Sequence, residues 1–527
     1  MKKASALNQI IANISPSWAL KRETARQKFE VFSLGYTRHG ASQTKKSLLG
    51  WLFKAGSPDE DITKPGPVLV ARSRDLYYGT PLAAGAIKTR RTNIIGPGLQ
   101  LKPQVDAEFL RLTPEEATAL EKTIKREFYL WADSLDCDIE RRKNFGQMQA
   151  LAFMSVDLSG DCFALLPLVS RPGSPYDLRV RLIEADRVCN PYNKIDPQEK
   201  ILAGVEIGEY GEPIACHIAQ KHPGSTRAAI NTWVRVLFFG EKTGRRNVLH
   251  LMEQERPEQR RGVPLLAPVI ESLKQLGRYT DAELMAAVVS AFLTVFIESD
   301  APDSPIQSPI PPEEKVDDDE NSIELGNGAV IALRPGEKAN TTNPGRPNQA
   351  FDGFVVAICR QIGAALEMPY EVLVKHFTSS YSASRGALLE FWKMIRMRRA
   401  WFAANFCQPI YEEWLTEAVA KGRIRAPGFF RDPAIRKAYC GADWNGPTQG
   451  QLDPLKEVNA AKVRVEEDFS TRAKEAAEFS GTDYDVIIQD RSYEERVRRE
   501  NGLVYENKTV NVGGGNNART NDEDDEE

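Results

Sequence analysis

The spacing of apolar positions along the chain changes twice. It is helical up to about residue 160, shifts toward every second residue between about 161 and 252, and turns helical again from Pro264. In the first stretch, "RSRDLYYGTPLAAGAIKTRRTNIIGPGLQLKP" predicts a helix from about Thr80 to Asn93. It stops at Gly96-Pro97-Gly98 and a strand follows. "TPEE" at Thr113–Glu116 is a capping box with proline at the first helical position, so a helix should run on to about Asp133. A further helix is expected near Phe145–Leu158. The β-like runs are "DCFALLPL", "LRVRLIEADRV", "GVEIGEYGEPIACHI", "WVRVLFF" and "NVLHLM", broken by Gly, Pro and Asn. Together they predict an antiparallel or mixed sheet, and the whole chain reads as α+β and mainly helical.

From Pro264 to about Glu298 the pattern fits one helix of roughly 34 residues, about 50 Å at 1.5 Å per residue. Residues 299–347 are rich in proline and carry the acid run Asp317, Asp318, Asp319 and Glu320. Inside them "SIELGNGAVIALRPGE" reads as a hairpin turning at Gly326-Asn327-Gly328. A second helix is expected over about 348–366. Then come Pro369, a serine-rich loop and a long helix ending at Lys421, with Gly422 as its stop. Charged helices follow at about 454–480 and 490–500. The first 65 residues read as a poorly ordered arm with short helices, and the tail from about 503 as flexible and acidic.

Composition narrows the function classes. The 527 residues carry a formal net charge of −4, so no global field demands nucleic acid, although a local patch remains open. Seven scattered cysteines without a CxxC pair read as reduced, mostly buried thiols, and the five histidines offer no zinc pattern. The N-terminus lacks an apolar run of signal length. The run Leu284–Ile297 is too short for a membrane span and follows Asp281 and Glu283, so a cytoplasmically made, soluble chain without membrane contact is expected.

Catalytic signatures are missing from the sequence. It has no GxSxG, HExxH, P-loop or GxGxxG pattern, which predicts no enzyme and no cofactor or metal. The acids around 313–320, with Lys315 among them, sit in a Pro-rich loop. That suits a solvated or partner-facing surface better than a nuclease centre, whose carboxylates need rigid neighbours. His250 in "NVLHLM" reads as a satisfied sheet histidine rather than a catalytic one.

Several segments are similar to one family. "RSRDLYYGTPLAAGAIKTRRTNIIGPGLQLKP", "LIEADRVCNP", "GVEIGEYGEPIACHI", "VLHLMEQERPEQRRGVPLLAPVIESLKQLGRYTDAELMAA" and "SSYSASRGALLEFW" together resemble the lambda-like portal proteins of tailed bacteriophages, from about Arg72 to about Glu457. One departure is Glu258, where the resemblance leads one to expect glycine. The resemblance implies a ring of about twelve subunits at one capsid vertex of a virion, assembled in the host cytoplasm and closed by heterologous contacts. It implies a wing over 66–262, a stem helix over 263–298, a clip over 299–346, and a returning helix over 347–367. A tunnel loop over 368–383, a long wing helix over 384–421 and a crown over 422–502 would follow. The implied roles are a channel for packaging and ejecting double-stranded DNA and a nucleus for procapsid assembly. Implied partners are the terminase large subunit, head-completion or adaptor proteins, and major capsid and scaffolding proteins. The rival readings are a DNA-processing nuclease and a capsid or scaffold protein without a channel.

Within that frame the candidate residues each carry two readings. Thr378, Ser379, Ser380, Tyr381, Ser382 and Ser384 suit a collar that touches DNA weakly, since small hydroxyl surfaces do not hold phosphates as a row of lysines would. Equally they describe a polar connector with a serine helix cap at Ser382 or Ser384. Arg385, Lys393, Arg396 and Arg399 fall within an arc of about 120° at 100° per residue, with Arg398 elsewhere. They make a phosphate-facing patch or, preferably, ion pairs with a neighbouring subunit. Lys274 and Arg278, four apart, are either channel-facing charge or a solvated helix face. Asp317, Asp318, Asp319 and Glu320 would meet docking partners.

Overall fold

The computed structural model describes residues 15–18, 21, 46–48 and 55–503, apart from 195, 197–199, 226–231, 292–294, 300–336, 342–350, 378–379, 451–453 and 482–483. The chain divides into two units, 1–61 and 62–527. The expected arm falls mostly outside the described residues, as do the predicted hairpin at 326–328 and the acidic tail.

The second unit begins with two consecutive helices, α1 (Gly66–Gly79) and α2 (Pro81–Ile94), of which only α2 was read from the sequence. Strand β1 (Gln100–Pro103) follows. Helix α3 (Pro114–Ala132) starts on the predicted capping box: Glu116 N–H donates to Thr113 Oγ1 at 3.2 Å and Thr113 N–H to Glu116 Oε2 at 2.9 Å. A second box, Asn144 with Gln147, opens α4 (Phe145–Ser159).

The period-two stretch forms two small antiparallel sheets. One orders β3 (Arg181–Ile183), β2 (Asp161–Leu165) and β8 (Val248–Met252), with β2 central. The other runs β4 (Ile201–Leu202), β5 (Val205–Ile207), β6 (Pro213–Ala219), β7 (Trp233–Leu237). Phe163, Ile183, Val205, Cys216, Ile218 and Val248 pack between them in a core of their own. Alternation is what allows this, since each strand sends every second side chain to the same face.

Helix α5 covers Ile270–Ala291, shorter than the predicted 34 residues. The chain then turns to strand β9 (Val295–Ser299), which pairs antiparallel with β10 (Glu337–Thr341), Ser299 opposite Glu337. The β-branched and aromatic run Val295-Phe296-Ile297 favours extended backbone once a partner strand is available, and that outweighs the helical spacing of the apolar positions. The returning helix is α6 (Phe351–Ala365). It lies antiparallel to α5: the turn Ala267–Val269 packs on its body, while Tyr279 meets the rings of Phe351 and Phe354 at its start, with centroids 5.5 and 5.0 Å apart.

After the short helix α7 (Tyr370–Val374), the predicted single long helix is two: α8 (Tyr381–Phe402) and α9 (Gln408–Ala420), joined by a π turn at Ala403–Cys407. Pro409 explains the widening. It brings no N–H, and its ring collides with the carbonyl four residues back, so the helix takes up slack in the preceding turn. Gly422, at φ +70°, ends the run.

Helix α10 (Pro433–Tyr439) and strand β11 (Ala442–Asn445) return to the body, where β11 pairs with β1 in the register Gln100–Asn445. This corrects the expected crown of 422–502, because Ile424, Phe429, Tyr439 and Cys440 are buried in the main core. Only α11 (Pro454–Glu466), α12 (Arg472–Ser480) and α13 (Tyr484–Glu500) lack buried side chains. The centre of the main core is aromatic. Phe128 contacts Trp131, Phe145, Tyr411 and Trp414 with centroids 5.1–5.8 Å apart. Six cysteines are buried and Cys189 is half-buried, all of them free thiols.

Candidate functional site

The segment between α6 and α8 is held at both ends. Gly363 approaches the Met368 carbonyl so closely that a Cβ there would sit 2.5 Å from the oxygen. Val372 and Leu373 anchor α7 in the main core, and Lys375 leaves it in left-handed backbone. The expected loop of 368–383 is therefore only 375–380, with helix on both sides. Ser380 is the cap: Ala383 N–H donates to its Oγ at 3.4 Å and Ser384 N–H to its carbonyl at 2.9 Å. Ser382 and Ser384, expected as loop or cap, sit in the first turn of α8, as does the backbone of Tyr381. A run of four nearby serines gives no local reason to choose one cap over another; the tertiary anchor at 374 does. Thr378 and Ser379 lie outside the described residues, as do Asp317, Asp318, Asp319 and Glu320.

The four cations grouped by helical angle do not share one environment. Lys393 is exposed and bonds Glu390 at 2.7 Å, three residues back on its own helix. Arg396 is exposed and Arg385 half-buried. Arg399 instead turns inward. Its guanidinium donates to the carbonyls of Ile94, Asn93 and Pro447 at 2.8–3.1 Å and lies 5.4 Å from the Trp392 ring. Burial, and the nearby Arg396 charge, bring its pKa down to about 10. Arg399 is thus a clamp between α2, α8 and the segment after β11, and it leaves the expected patch.

Arg398, set aside by the sequence reading, is also engaged. It pairs with Glu253 and, at 3.3 Å, with Glu367. Beside it lies a fully internal pair, Arg90 with Asp157, bonded at 3.0 and 3.3 Å. These pairs fasten α8 to α2, α4 and the segment after β8. No sequence signal marks them, because their partners are 67 or more positions apart along the chain in the Arg90 case.

On α5 the inward stripe is Leu273, Leu276 and half-buried Tyr279, and Lys274 and Arg278 are exposed on the other face. The segment before α5 is fixed by Arg261. Its guanidinium binds both oxygens of buried Asp161, at 2.5 and 3.1 Å, and the carbonyls of Ala185, Val188 and Ala203. His250 completes this knot, with Nε2 3.2 Å from Asp161 and its ring stacked 4.0 Å over Phe163, the satisfied arrangement expected of it. Just before it, Glu258 has φ +66°. That is the backbone region glycine favours, and it is the position where glycine was expected.

Among the described residues, Glu184, Asp186 and His222 bring ligand atoms within 4.8 Å of one another. Arg74 already bonds Asp186 at 2.5 Å and Glu184 at 3.2 Å. Its cation stands where an ion's charge would act, so the group reads as an ion-pair cluster. No helix among the described residues is long and apolar enough to cross a membrane.

The fold is α+β and mainly helical, with an extended helical hairpin leading out to a β-paired tip and back. The profile of the family described as "Phage portal protein, lambda family" matches residues 44–399. Portal protein B of Escherichia phage lambda is 25% identical over 453 residues, covering 82% of this chain and 84% of its own. The portal protein of Escherichia phage N15 is 24% identical, covering 86% and 89%. The probable portal protein of Halomonas phage phiHAP-1 is 24% identical, covering 90% and 89%. Among solved structures, a chain from the neck of an empty GTA particle, computed with C6 symmetry, matches at 14% identity and a TM-score of 0.44, over 78% of this chain and 92% of that one. One from the neck of a native GTA particle, computed with C12 symmetry, matches at 12% and 0.41, over 79% and 92%. This chain belongs to the lambda family of phage portal proteins. It is a virion component of the capsid vertex, where head and tail connect.

Proposed function

We propose that copies of this chain close into a ring of about twelve and form a non-enzymatic channel for double-stranded DNA during packaging and ejection. The observation that carries the reading is the α5–α6 hairpin, whose apolar stripe is used within the chain while Lys274 and Arg278 remain exposed on α5. Repeated around a closed ring, two cations per chain become two belts of positive charge. They guide phosphates without base readout. The short loop 375–380, pinned by α7 and by the Ser380 cap, serves as the collar at the same level of the channel. Thr378 and Ser379 form its tip, with Tyr381, Ser382 and Ser384 at its base. Arg385, Lys393 and Arg396 face a neighbouring copy.

The chain beyond β9 and before β10 carries Asp317, Asp318, Asp319 and Glu320 to the docking face for the terminase large subunit and later for head-completion proteins. Major capsid and scaffolding proteins meet the outer surface as the ring seeds a procapsid. Repeated negative charge at that face selects basic partners.

Native mass measurement together with particle images tests the ring. An annulus with a hole near duplex width is expected, and a stable monomer overturns the reading. In assembled particles, Lys274→Glu with Arg278→Glu should leave the ring intact and lower packaged DNA at least tenfold. Unchanged packaging removes the charge belts from the proposal. Neutralising Asp317–Glu320 should weaken terminase docking with the ring unaffected.

A further inference from the structure

A cleft of about 380 Å³ lies between α3, β1 and the start of α13, lined by Lys102, Lys122, Lys125, Arg126, Asp485 and Gln489. A second hollow of about 250 Å³ shares Lys102 and Lys125 with it. Four cations from two elements thus converge on one place, in a chain whose net charge is −4. The acid in α3 that lines the cleft is engaged elsewhere, since Glu121 accepts from Val105 N–H at 2.9 Å. Lys122 and Arg126 are exposed, one helical turn apart on α3. A space of this size admits a single extended strand and is too small for a duplex.

Six consecutive acids stand at Asp522–Glu527, the densest negative run in the sequence. The last described residue is Leu503, just past α13, and α13 is the helix whose first turns line the cleft. Returning along α13 from its end to the cleft takes roughly 25 Å, 17 residues at 1.5 Å each. Residues 504–521 can span up to about 60 Å when extended, and they include Gly513, Gly514 and Gly515. The reach is ample, and a tethered partner acts at an effective concentration near millimolar.

We propose that the acidic run 522–527 docks in this cleft of its own chain, pairing its carboxylates with Lys122, Lys125, Arg126 and Lys102. The occupied cleft then turns away other polyanions, which keeps sequence-independent DNA contact off this outer surface. Because the pairs are solvent-facing, the docking is weak per pair, held by number and tether, and released by salt.

Carbodiimide coupling of the full-length chain reads the contact directly, since it joins carboxylates to lysine amines in place. Trypsin then releases residues 520–527 as one peptide. Coupling of that peptide to Lys102, Lys122 or Lys125 should exceed coupling to any other lysine. It should fall at least fivefold in Arg126→Glu, which removes no amine, and equally in about 1 M salt, where the screening length is near 3 Å. Removing 520–527 should raise the acetylation rate of Lys122 at least threefold. Coupling spread over exposed lysines such as Lys393 overturns the proposal, as does an unchanged yield in Arg126→Glu. Mixing isotope-labelled and unlabelled chains separates the last case: coupled peptides of mixed isotope only would place the tail in a neighbouring copy and reject docking within the chain.

Discussion

Gly160 and Gly262 meet backbone against backbone, so that a Cβ on Gly160 would fall 2.5 Å from the Gly262 carbonyl carbon. Gly160 also has φ +83°, at the end of α4. The contact brings Asp161 and Arg261, the next residue on each strand of chain, into their ion pair, and so sets where α5 leaves the body. Alanine at either position should overpack the crossing. A loss of about 2–3 kcal/mol is expected for Gly262→Ala, and more for Gly160→Ala, where positive φ adds strain. Denaturant midpoints measure it. A loss below about 0.5 kcal/mol at both would show that the crossing yields freely.

Glu258 tests the opposite direction. Its φ of +66° costs a residue with a side chain about 1 kcal/mol or more, while glycine gives back part of that through a freer unfolded chain. The turn itself is fixed independently by buried Gln259, which accepts from Glu255 N–H at 2.8 Å and donates to the Arg261 carbonyl at 2.7 Å. Glu258→Gly should therefore stabilise by a few tenths to about 1 kcal/mol, and Glu258→Ala should not. A raised unfolding midpoint in the glycine variant alone is the expected result.

The Asp161 knot makes the protein sensitive to acid in two steps. Burial pushes the His250 imidazole down, aided by the Arg261 charge and opposed by Asp161. Burial would raise the Asp161 carboxyl, but the Arg261 charge and the bonds from His250 and Arg261 outweigh it and hold it well below the carboxylate range. Both groups bind fewer protons folded than unfolded. Stability should therefore fall as pH drops below about 6.5 through His250, and fall again below about 4 through Asp161. His250→Gln should flatten the upper step and keep the lower one. Urea midpoints across that range decide it, and an unaltered upper slope in the variant would contradict the assignment.

Arg399 should behave as a structural clamp. Arg399→Ala strands three carbonyls and should cost about 2–4 kcal/mol. Arg399→Lys should recover less than half, since an ammonium cannot span the carbonyls of Ile94, Asn93 and Pro447 with one planar fork. Exposed Arg396 is the control, and its alanine variant should stay within about 0.5 kcal/mol. Equal losses at the two positions would return both to one shared surface role.

Local chemistry was legible wherever it acts over a few residues. The Thr113 capping box, the strands of the period-two stretch, the Gly422 stop and the fit of His250 to its sheet could all be read because each depends on near neighbours. The start of α8 was placed three residues late, at Ser384 rather than Tyr381, because several serines compete for one cap and the anchor that chooses lies in α7. Helix α5 was drawn too long because a strand at 295–299 exists only through its partner at 337–341, about 40 residues on.

The sequence by itself determined that this is a mainly helical α+β chain of the portal family, since periodicity and motif order survive without contacts. Which cations are spent inside the chain was decided only by the tertiary structure. Arg398 and Arg399 are adjacent, and helical angle placed one on the patch and the other off it. The fold took up both: Arg399 through the carbonyls of α2 and Pro447, Arg398 through Glu253 and Glu367. A guanidinium's environment depends on what other elements bring within hydrogen-bonding reach, and no helical wheel contains that information.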